Sequence, residues 1–566
     1  MGLSRVPRSG GGLGQAGDDA VLAVAQLENE IAARRQAIGQ NAPELANLLS
    51  GLASVLSGQG RQREALVTIE EVVAVRRTLA ADDSVDDLSD LASSLTNLAT
   101  VLGDLGRYQE ALTAIEEAVT IRSALASDAP ADYIPGLASS QSTLATVLWG
   151  LGRREEALAA IKEAVEIRRE LAAREPAAYE PDLASSLSTM ATVLGGLGLR
   201  EEALAAIRAA VEIRRRLAAD DPVLYEPDLA LSLNNLSVRL GERGELDAAL
   251  GAVREAVEIS RRLADANSSA YESDLASSLN NLAVREAERG ELTEARRALM
   301  EAVDIFGRLA DANPGAYEPN LASSLNNLSL QLGQLGELEG ALETMREAVE
   351  IYRRLADASP AAFEPDMALA LNNLSLRLGE LGERDAALEA VERAVEIYRR
   401  LADASPAAFE PDLALALNNL SVRQGERGNH AAALRAVREA VEVFTRLSDS
   451  HPTVFESDLA LSLNNLSVRL GESGDPAAAL GAIRRAVEIY QRLADSNPAA
   501  FEPDLALALS NLSQRLGECG DYKSALGAVE RAVEIYRRLA DSNPATYEFD
   551  LANSLRLRSE AAKSVG

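Results

Sequence analysis

Asparagine recurs at intervals of 46 residues in seven consecutive repeats of this chain. Its side-chain amide can donate to and accept from one peptide unit, so a column of such residues can bind an extended main chain. Asn also weakens helices because its side chain competes for backbone hydrogen bonds, so this repetition needs a reason. The column consists of Asn235, Asn281, Asn327, Asn373, Asn419, Asn465 and Asn511, and a second Asn precedes most of its members.

Apolar and acidic residues accompany this column at helical spacing. A Glu follows most of the Asn residues by seven positions, and an Arg stands three residues before that Glu, as in Arg423 and Glu426. We interpret the Arg and Glu as a solvated ion pair on a helix surface. The groove would then have an apolar floor and an acidic edge, which favours a neutral or basic partner with apolar side chains. The floor residues follow the Asn by three positions: Val238, Val284, Leu330, Leu376, Val422 and Val468.

Composition and motifs exclude several classes of function. The formal net charge is −31, and such a surface repels duplex nucleic acid and anionic membranes. We find no phosphate-binding glycine loop, no nucleophile with a paired base and no metal-ligand spacing, so we expect no catalytic residue, cofactor or metal. The single Cys519 excludes an internal disulfide. No apolar run resembles a signal peptide or a membrane span, so we expect a cytoplasmic location.

The elements that position these columns are predicted to be pairs of helices. From Pro181, the residues Leu183, Leu187 and Leu194 form one apolar face at helical spacing. Glycines end this helix A of about 16 residues, and a second pattern from Arg200 predicts a helix B of about 20 residues. The segment 223–226 reads as a connector. Below, positions are numbered from the first Leu of each Asp-Leu-Ala motif, which is position 0, so the Asn column is position 6.

At this point the chain resembles the tetratricopeptide repeat family. Position 8 is small, and position 15 is Gly in every repeat from Gly60 to Gly520. Positions 20 and 27 are Ala, as in Ala203 and Ala210. The family's Trp at position 4 is usually Leu here, and its Pro near position 32 is absent. The long repeat looks most like kinesin light chain repeats, which share Leu-Asn-Asn-Leu (325–328) and Ala-Val-Glu-Ile (348–351).

The resemblance implies an all-α fold: a right-handed superhelical solenoid of stacked antiparallel helix pairs with a 46-residue repeat. We expect a disordered segment at 1–17, a capping helix at 18–44, eleven repeats at 45–550 and a closing helix at 551–566. The resemblance also implies that the Asn column holds peptide main chain, as in kinesin light chains and the repeats of O-GlcNAc transferase. Two alternatives stay open: the Asn residues bond to a neighbouring helix, or they recur because the repeats are recent copies.

Two further columns and one irregular repeat carry structural predictions. Aromatic residues recur in the connector and late in helix B, where Arg122, Arg168 and Arg214 stand in the early repeats. A regular aromatic column predicts packing between repeats rather than a base-stacking platform. Ser268 and Ser273 replace two prolines, and Glu286 replaces a leucine. We interpret this repeat as a hinge.

The sequence therefore predicts a non-enzymatic scaffold that binds an extended peptide or protein segment in a concave groove. Two other classes remain as alternatives. One is a sensor module of a bacterial signalling system that works with a separately encoded effector. The other is a structural solenoid that self-assembles into a homo-oligomer.

Overall fold

The structure is a computed structural model and describes Leu27 and residues 42–82, 84–542 and 544–565. This described part contains 23 α-helices, one short 3₁₀ turn (Ala80–Asp82) and no strand, which confirms the all-α prediction. No helix in it is both long and apolar enough to cross a membrane. The predicted segment 1–17 and nearly all of the predicted capping helix 18–44 lie outside the described residues.

Helix A of each repeat carries an odd number and helix B an even number. The helices are α1 Ala42–Gly58, α2 Gln62–Leu79, α3 Val85–Asp104, α4 Tyr108–Asp128, α5 Pro130–Gly150, α6 Arg154–Arg174, α7 Pro176–Gly196, α8 Arg200–Asp220, α9 Pro222–Glu242, α10 Leu246–Ala266, α11 Ser268–Glu288, α12 Leu292–Ala312, α13 Pro314–Gln334, α14 Leu338–Ala358, α15 Pro360–Glu380, α16 Arg384–Ala404, α17 Pro406–Glu426, α18 His430–Ser450, α19 Pro452–Glu472, α20 Pro476–Ser496, α21 Pro498–Glu518, α22 Tyr522–Ser542 and α23 Pro544–Val565.

Helix A begins five residues earlier than the sequence pattern predicted, so the predicted connector 223–226 is wrong. In α9, Pro222 is the first helical residue and Pro227 lies inside the helix. Pro suits the first turn, where an N–H has no helical partner. Pro227 removes only one helical bond, the one to the carbonyl four residues before it, so the helix continues through it. For the same reason the closing helix starts at Pro544 rather than at residue 551.

Glycine at position 15 makes the tight turn from helix A to helix B. All eleven of these glycines have positive φ, from 71° at Gly106 to 85° at Gly290. After α17, Gly428 N–H donates to the Gly425 carbonyl at 2.9 Å and Asn429 N–H donates to the Gln424 carbonyl at 2.9 Å. This 6→1 closure is a Schellman motif, which requires a left-handed residue and so favours Gly.

Alanine sets the distance between helices in the core. The alanines at position 20 from Ala111 to Ala525 are at most 1% exposed, and those at position 27 from Ala118 to Ala532 are 0% exposed. A methyl group is the largest side chain that such close helix crossings accept without a shift of backbone. The late helix B aromatics are buried as well, for example Phe306 at 1% and Phe444 at 0% exposure. Their burial confirms the predicted packing role.

Arginine at position 10 forms the ion pair with Glu that the sequence predicted, but the arginine is buried rather than solvated. Arg469 bonds Glu472 at 2.8 Å, but its guanidinium lies on the backbone of Gly425 in the preceding repeat, where a Cβ would overlap it. The side chain of the equivalent Arg377 is only 6% exposed. The sequence pattern missed this because the contact joins residues 44 positions apart. The glycine at position 12 therefore makes room for an arginine of the next repeat.

Substitution of this glycine tests the contact. We expect Gly425→Ala to destabilise the protein by about 1–3 kcal/mol, because the added Cβ displaces the Arg469 guanidinium. The matched control is Gly481→Ala in helix α20, where a Cβ meets nothing within 4 Å, so that Ala stabilises by about 0.5–1 kcal/mol. Urea unfolding followed by circular dichroism measures both. Equal shifts of the two unfolding midpoints would contradict the contact.

The chain divides into two compact units, Met1–Met367 and Ala368–Gly566. The first unit contains the repeat that we interpreted as a hinge. There α11 runs without interruption from Ser268 to Glu288, and Glu286 is buried at 5% exposure. The two serines thus replace prolines without ending the helix, and the hinge stays a prediction.

Within the first unit, residues 254 positions apart are in contact. The Asn313 side-chain amide donates to the Gln59 carbonyl at 3.1 Å, although Asn313 holds the N-cap place of α13 and caps nothing with its side chain. A Cβ at Gly60 would lie 2.5 Å from the Ala316 nitrogen. Gly315 is the only glycine at its place among the repeats. The turn after α1 therefore packs on the first turn of α13, and a small residue stands where the backbones meet.

This contact predicts a specific cross-link. In a Cys519→Ser background, we expect Gln59→Cys with Asn313→Cys to form a disulfide under mild oxidation, since cysteines cross-link when their Cα atoms are about 4.4–6.8 Å apart. Asn267→Cys, at the same N-cap place one repeat earlier, is the matched control and should not cross-link with Gln59→Cys. Electrophoresis without reductant measures both. Equal cross-linking of the two pairs would show that the turn is not docked on α13.

Candidate functional site

The predicted site residues lie on one stripe of helix A. Positions 2, 6, 9 and 13 are spaced by four, three and four residues, so they share one helix face. The seven Asn residues at position 6 are half-buried, and at position 9 Val284 and Leu376 are 37% and 38% exposed. The stripe is therefore accessible in both units: the first unit holds Asn235, Asn281 and Asn327, and the second holds Asn373, Asn419, Asn465 and Asn511.

The first Asn of each pair, at position 5, is structural. Asn418 is 2% exposed, and its amide donates to the Ser462 hydroxyl of the next repeat at 2.7 Å. Asn234 and Asn280 make the same bond to Ser278 and Ser324, at 2.9 Å and 2.7 Å. For position 5, the alternative that Asn bonds to a neighbouring helix is therefore the one that holds.

The second Asn, at position 6, is hydrogen-bonded to the preceding repeat in some repeats and unpartnered in others. The amides of Asn419 and Asn511 donate to the position 5 oxygens of Asn372 and Asn464 in the preceding repeat, both at 2.9 Å. Four other members of the column make no hydrogen bond with the part of the chain that the structure describes, and these are Asn235, Asn281, Asn327 and Asn465.

The four unpartnered amides leave a consequence in the core. The side-chain oxygens of Asn234, Asn280 and Asn418 are buried without a hydrogen-bond partner. Each lies 47 residues before an unpartnered position 6 Asn, which is the separation of the pairs that do bond. A position 6 amide can thus either donate to the position 5 oxygen of the preceding repeat or face outward. The two arrangements differ in free energy by about one hydrogen bond.

Exposed leucines at position 2 extend the stripe, and the sequence reading missed them. They are Leu231 at 56%, Leu369 at 46%, Leu415 at 36%, Leu461 at 37% and Leu507 at 44% exposure. The signal was present in the Leu-Ala-Leu-x-Leu segments. Positions 0 and 4 share the buried face, so a Leu at position 2 must lie off it. In the second unit four successive repeats carry this leucine.

Position 31, late in helix B, contacts position 2 in the early repeats. Arg168 is 8% exposed and donates to the position 2 hydroxyl of Ser139 at 3.2 Å and to the Ser186 hydroxyl of the next repeat. Burial lowers the pKa of its guanidinium. From Leu369 onward the same place in helix B is aromatic, as in Tyr398, and position 2 is Leu. The early stripe is therefore hydroxylic and the late stripe is aliphatic.

The change from Arg to an aromatic residue at position 31 also changes the surroundings of the aspartate that precedes position 0. In the first repeats Arg76 pairs with Asp90 at 2.6 Å. In the second unit Asp458 faces the aromatic column with no such cation, and burial raises the pKa of its carboxyl to about 6. Burial raises the pKa of Asp504 as well. At neutral pH the charged forms of these carboxylates therefore lower the folding stability of the second unit.

Titration of Asp458 gives a pH-dependent prediction. Its folded pKa of about 6 exceeds the unfolded value of about 3.9, so the charged form is disfavoured in the folded state. The contribution of this group to stability is greatest below pH 3.9 and falls as the pH rises through 6. We expect Asp458→Asn to raise stability at pH 7.5 by about 1–2 kcal/mol and to leave it nearly unchanged at pH 4.

Urea unfolding at the two pH values measures this difference. The exposed Asp449, nine residues earlier, is the control, and Asp449→Asn should change neither value by more than about 0.5 kcal/mol. A larger gain for Asp458→Asn at pH 4 than at pH 7.5 would have the wrong sign and would contradict the buried carboxylate.

The described residues contain no group of three or more His, Cys, Asp or Glu placed to hold a metal ion.

Family models match most of the chain. Both are described as tetratricopeptide repeat: one matches residues 90–170, and the other matches 45–86, 183–222, 229–269, 275–313, 321–360, 367–406, 413–453, 459–499 and 505–544. No curated protein matches the chain.

Solved structures with a similar fold have low sequence identity. BtubC (BKLC) from P. vanneervenii is 24% identical with a TM-score of 0.36, over 44% of this chain and 92% of that one. A Rap protein complexed with Competence and Sporulation Factor is 16% identical with a TM-score of 0.45, over 72% and 100%. The apo form of RapI is 16% identical with a TM-score of 0.47, over 72% and 99%. At these values the likenesses carry no argument about function.

Proposed function

Because the chain belongs to the tetratricopeptide repeat family, whose repeats typically mediate protein–protein interactions and are generally non-catalytic, we propose that it is a non-enzymatic scaffold that binds extended peptide segments. The binding surface is the helix A stripe of positions 2, 6, 9 and 13. The observation that carries this proposal is the unpartnered, half-buried position 6 amide between two apolar side chains. In one repeat these are Leu461, Asn465 and Val468, of which Leu461 is 37% exposed.

The energetics divide the roles within the stripe. An Asn that binds a peptide unit gains a net hydrogen bond of only about 0.5–1.5 kcal/mol. The same amide can instead donate to the preceding repeat, as Asn419 does to Asn372, so part of that gain is lost. Exposed aliphatic surface yields about 25 cal/mol for each Å² buried. The Leu and Val columns therefore supply most of the affinity, and the Asn column fixes the direction and register of the peptide.

The spacing of the helices sets the register. Neighbouring A helices touch directly, as the 2.7 Å bond from Asn418 to Ser462 shows. Helices in direct contact have axes about 8–10 Å apart, and an extended chain advances about 3.3 Å per residue. A bound peptide thus advances about three residues per repeat. About twelve residues cover the four repeats of the second unit that carry both columns.

Charge does not restrict the partner to basic segments. Each Glu at position 13 of the second unit is already paired with its own Arg, as in Arg423–Glu426 at 2.8 Å and Arg515–Glu518 at 2.8 Å. The edge of the stripe is therefore less acidic than the column of Glu residues suggests. We propose a partner segment that is neutral to basic with aliphatic or aromatic side chains about three residues apart.

Selection from a peptide library tests the proposal. Full-length protein is screened against a displayed library of random 12-residue peptides, and selected peptides are measured by fluorescence anisotropy. We expect selected peptides to be rich in apolar side chains. We expect Leu369→Ser, Leu415→Ser and Leu461→Ser together to weaken binding tenfold or more, which is about 1.4 kcal/mol. Serine already stands at position 2 in five repeats, from Ser93 to Ser323 with Leu231 as the exception, so the fold tolerates it.

Two Asn variants serve as matched comparisons. Asn281→Ala, Asn327→Ala and Asn465→Ala remove amides that make no internal bond, so they should weaken binding several-fold with no loss of stability. Asn511→Ala removes the bond to Asn464, so it should lower stability as well. Peptides that bind all variants with wild-type affinity, or a library that yields no binder, would refute the proposal.

A further inference from the structure

One acidic residue in the position 13 column differs from all the others. From Glu242 onward each Glu at this position has an Arg three residues before it, as in Arg239–Glu242 at 2.9 Å. Asp104 holds position 13 in helix α3, but position 10 there is Val101. The only nearby arginine in sequence, Arg107, is bonded to Glu110 at 2.7 Å and 2.6 Å. Among the described acids of this column, Asp104 is therefore the one that the protein does not neutralise.

Asp104 lies in the wall of a cavity of about 340 Å³ on the stripe of helices α3, α5 and α7. This volume is large enough for a small organic group. Hydroxyl groups from all three helices line the same cavity. The polar lining consists of Asp104, Tyr108, Thr100, Ser142, Thr143, Thr146 and Thr189, and the apolar lining includes Ala99 and Val147.

The threonine hydroxyls of this cavity already donate their protons to backbone carbonyls. Thr100 donates to the Thr96 carbonyl at 3.2 Å, and Thr146 donates to the Ser142 carbonyl at 3.3 Å. Thr143 and Thr189 likewise donate to carbonyls four residues earlier, both at 3.3 Å. A hydroxyl has one proton and two lone pairs, so what remains toward the cavity is acceptor capacity. The four threonines and the carboxylate together offer acceptors and no matching donor.

Tyr108 lines the same cavity, and nearby negative charges affect the pKa of its phenol. Its ring lies against Gly150, where a Cβ would overlap it, so the glycine at position 13 of α5 makes room for the ring. Burial raises the pKa of the Tyr108 phenol, and the negative charges of Asp104 and Asp366 raise it further. Burial also raises the pKa of the Asp104 carboxyl. The Asp104 carboxylate and the Tyr108 ring thus lie in a cavity whose lining includes no cationic side chain.

From this arrangement we propose that the cavity of α3, α5 and α7 is a binding site for an organic cation, a primary ammonium or a guanidinium group. Such a group has only donors, which matches the acceptor capacity of the four threonines, and its charge pairs with Asp104. Its methylene stem contacts the Tyr108 ring and the apolar lining, where a cation near an aromatic face gains further attraction. This site is separate from the Asn and Leu stripe of the second unit. The cation comes either from a Lys or Arg side chain of a bound peptide or from a free small amine.

Calorimetric titration of the full-length protein tests the site with defined probes. The probes are butylammonium, the blocked lysine amide N-acetyl-lysine-N-methylamide, and butanol as the neutral analogue. We expect both cations to bind with a dissociation constant on the order of 1 mM and butanol not to bind. We expect Asp104→Asn to weaken cation binding tenfold or more. Thr146→Val removes one acceptor without a change of charge and should weaken it several-fold.

Glu426→Gln is the matched control, because Glu426 holds the same position 13 but is already paired with Arg423. It should leave cation binding unchanged. Stronger binding of the blocked lysine than of butylammonium assigns the cation to a peptide side chain, and equal binding assigns it to a free amine. Three results would overturn the site: equal losses in Asp104→Asn and Glu426→Gln, binding of butanol as tight as that of butylammonium, or no cation binding up to about 50 mM. Asn281→Ala, Asn327→Ala and Asn465→Ala should retain cation binding, which separates this site from the peptide stripe.

Discussion

The close approach of helices at buried alanines is the constraint on which the rest of this structure depends. From the second repeat onward helix B carries two buried alanines, such as Ala433 and Ala440. Because these repeats use the same small residues, neighbouring A helices come near enough for their side chains to bond directly. The 2.7 Å bond from Asn418 to Ser462 requires that distance. A larger residue at either alanine would separate the helices and break the bonded columns on the stripe.

Glycine extends the same constraint to the charged residues. The glycine at position 12 makes room for the guanidinium of the next repeat, as Gly471 does for Arg515. This placement buries most of the arginine and holds it beside its Glu at position 13. The pair therefore joins two repeats as well as one helix turn. Where the arginine is absent, as before Asp104, the acid keeps its charge, and the surface acquires a different chemistry.

The buried residue at position 31 differs between the first repeats and the last repeats. With Arg at position 31, serine hydroxyls surround the guanidinium and the stripe is polar, as with Arg168 and Ser139. In the repeats from Leu369 onward an aromatic ring stands there, as in Tyr490, position 2 is an exposed leucine, and Asp458 is desolvated. An identical scaffold carries an acceptor-lined cavity in its early repeats and an aliphatic stripe in its late repeats.

The sequence alone determined the helix pairs and their 46-residue period, because these follow from local propensity and helical spacing. It did not reveal that helix A begins at the first proline, since a Pro within the second turn usually signals a boundary. It could not decide which Asn is structural, that Arg469 lies on Gly425, or that Asn313 meets Gln59. These contacts join residues 44 to 254 positions apart, and only the packing of one repeat on another brings such residues together.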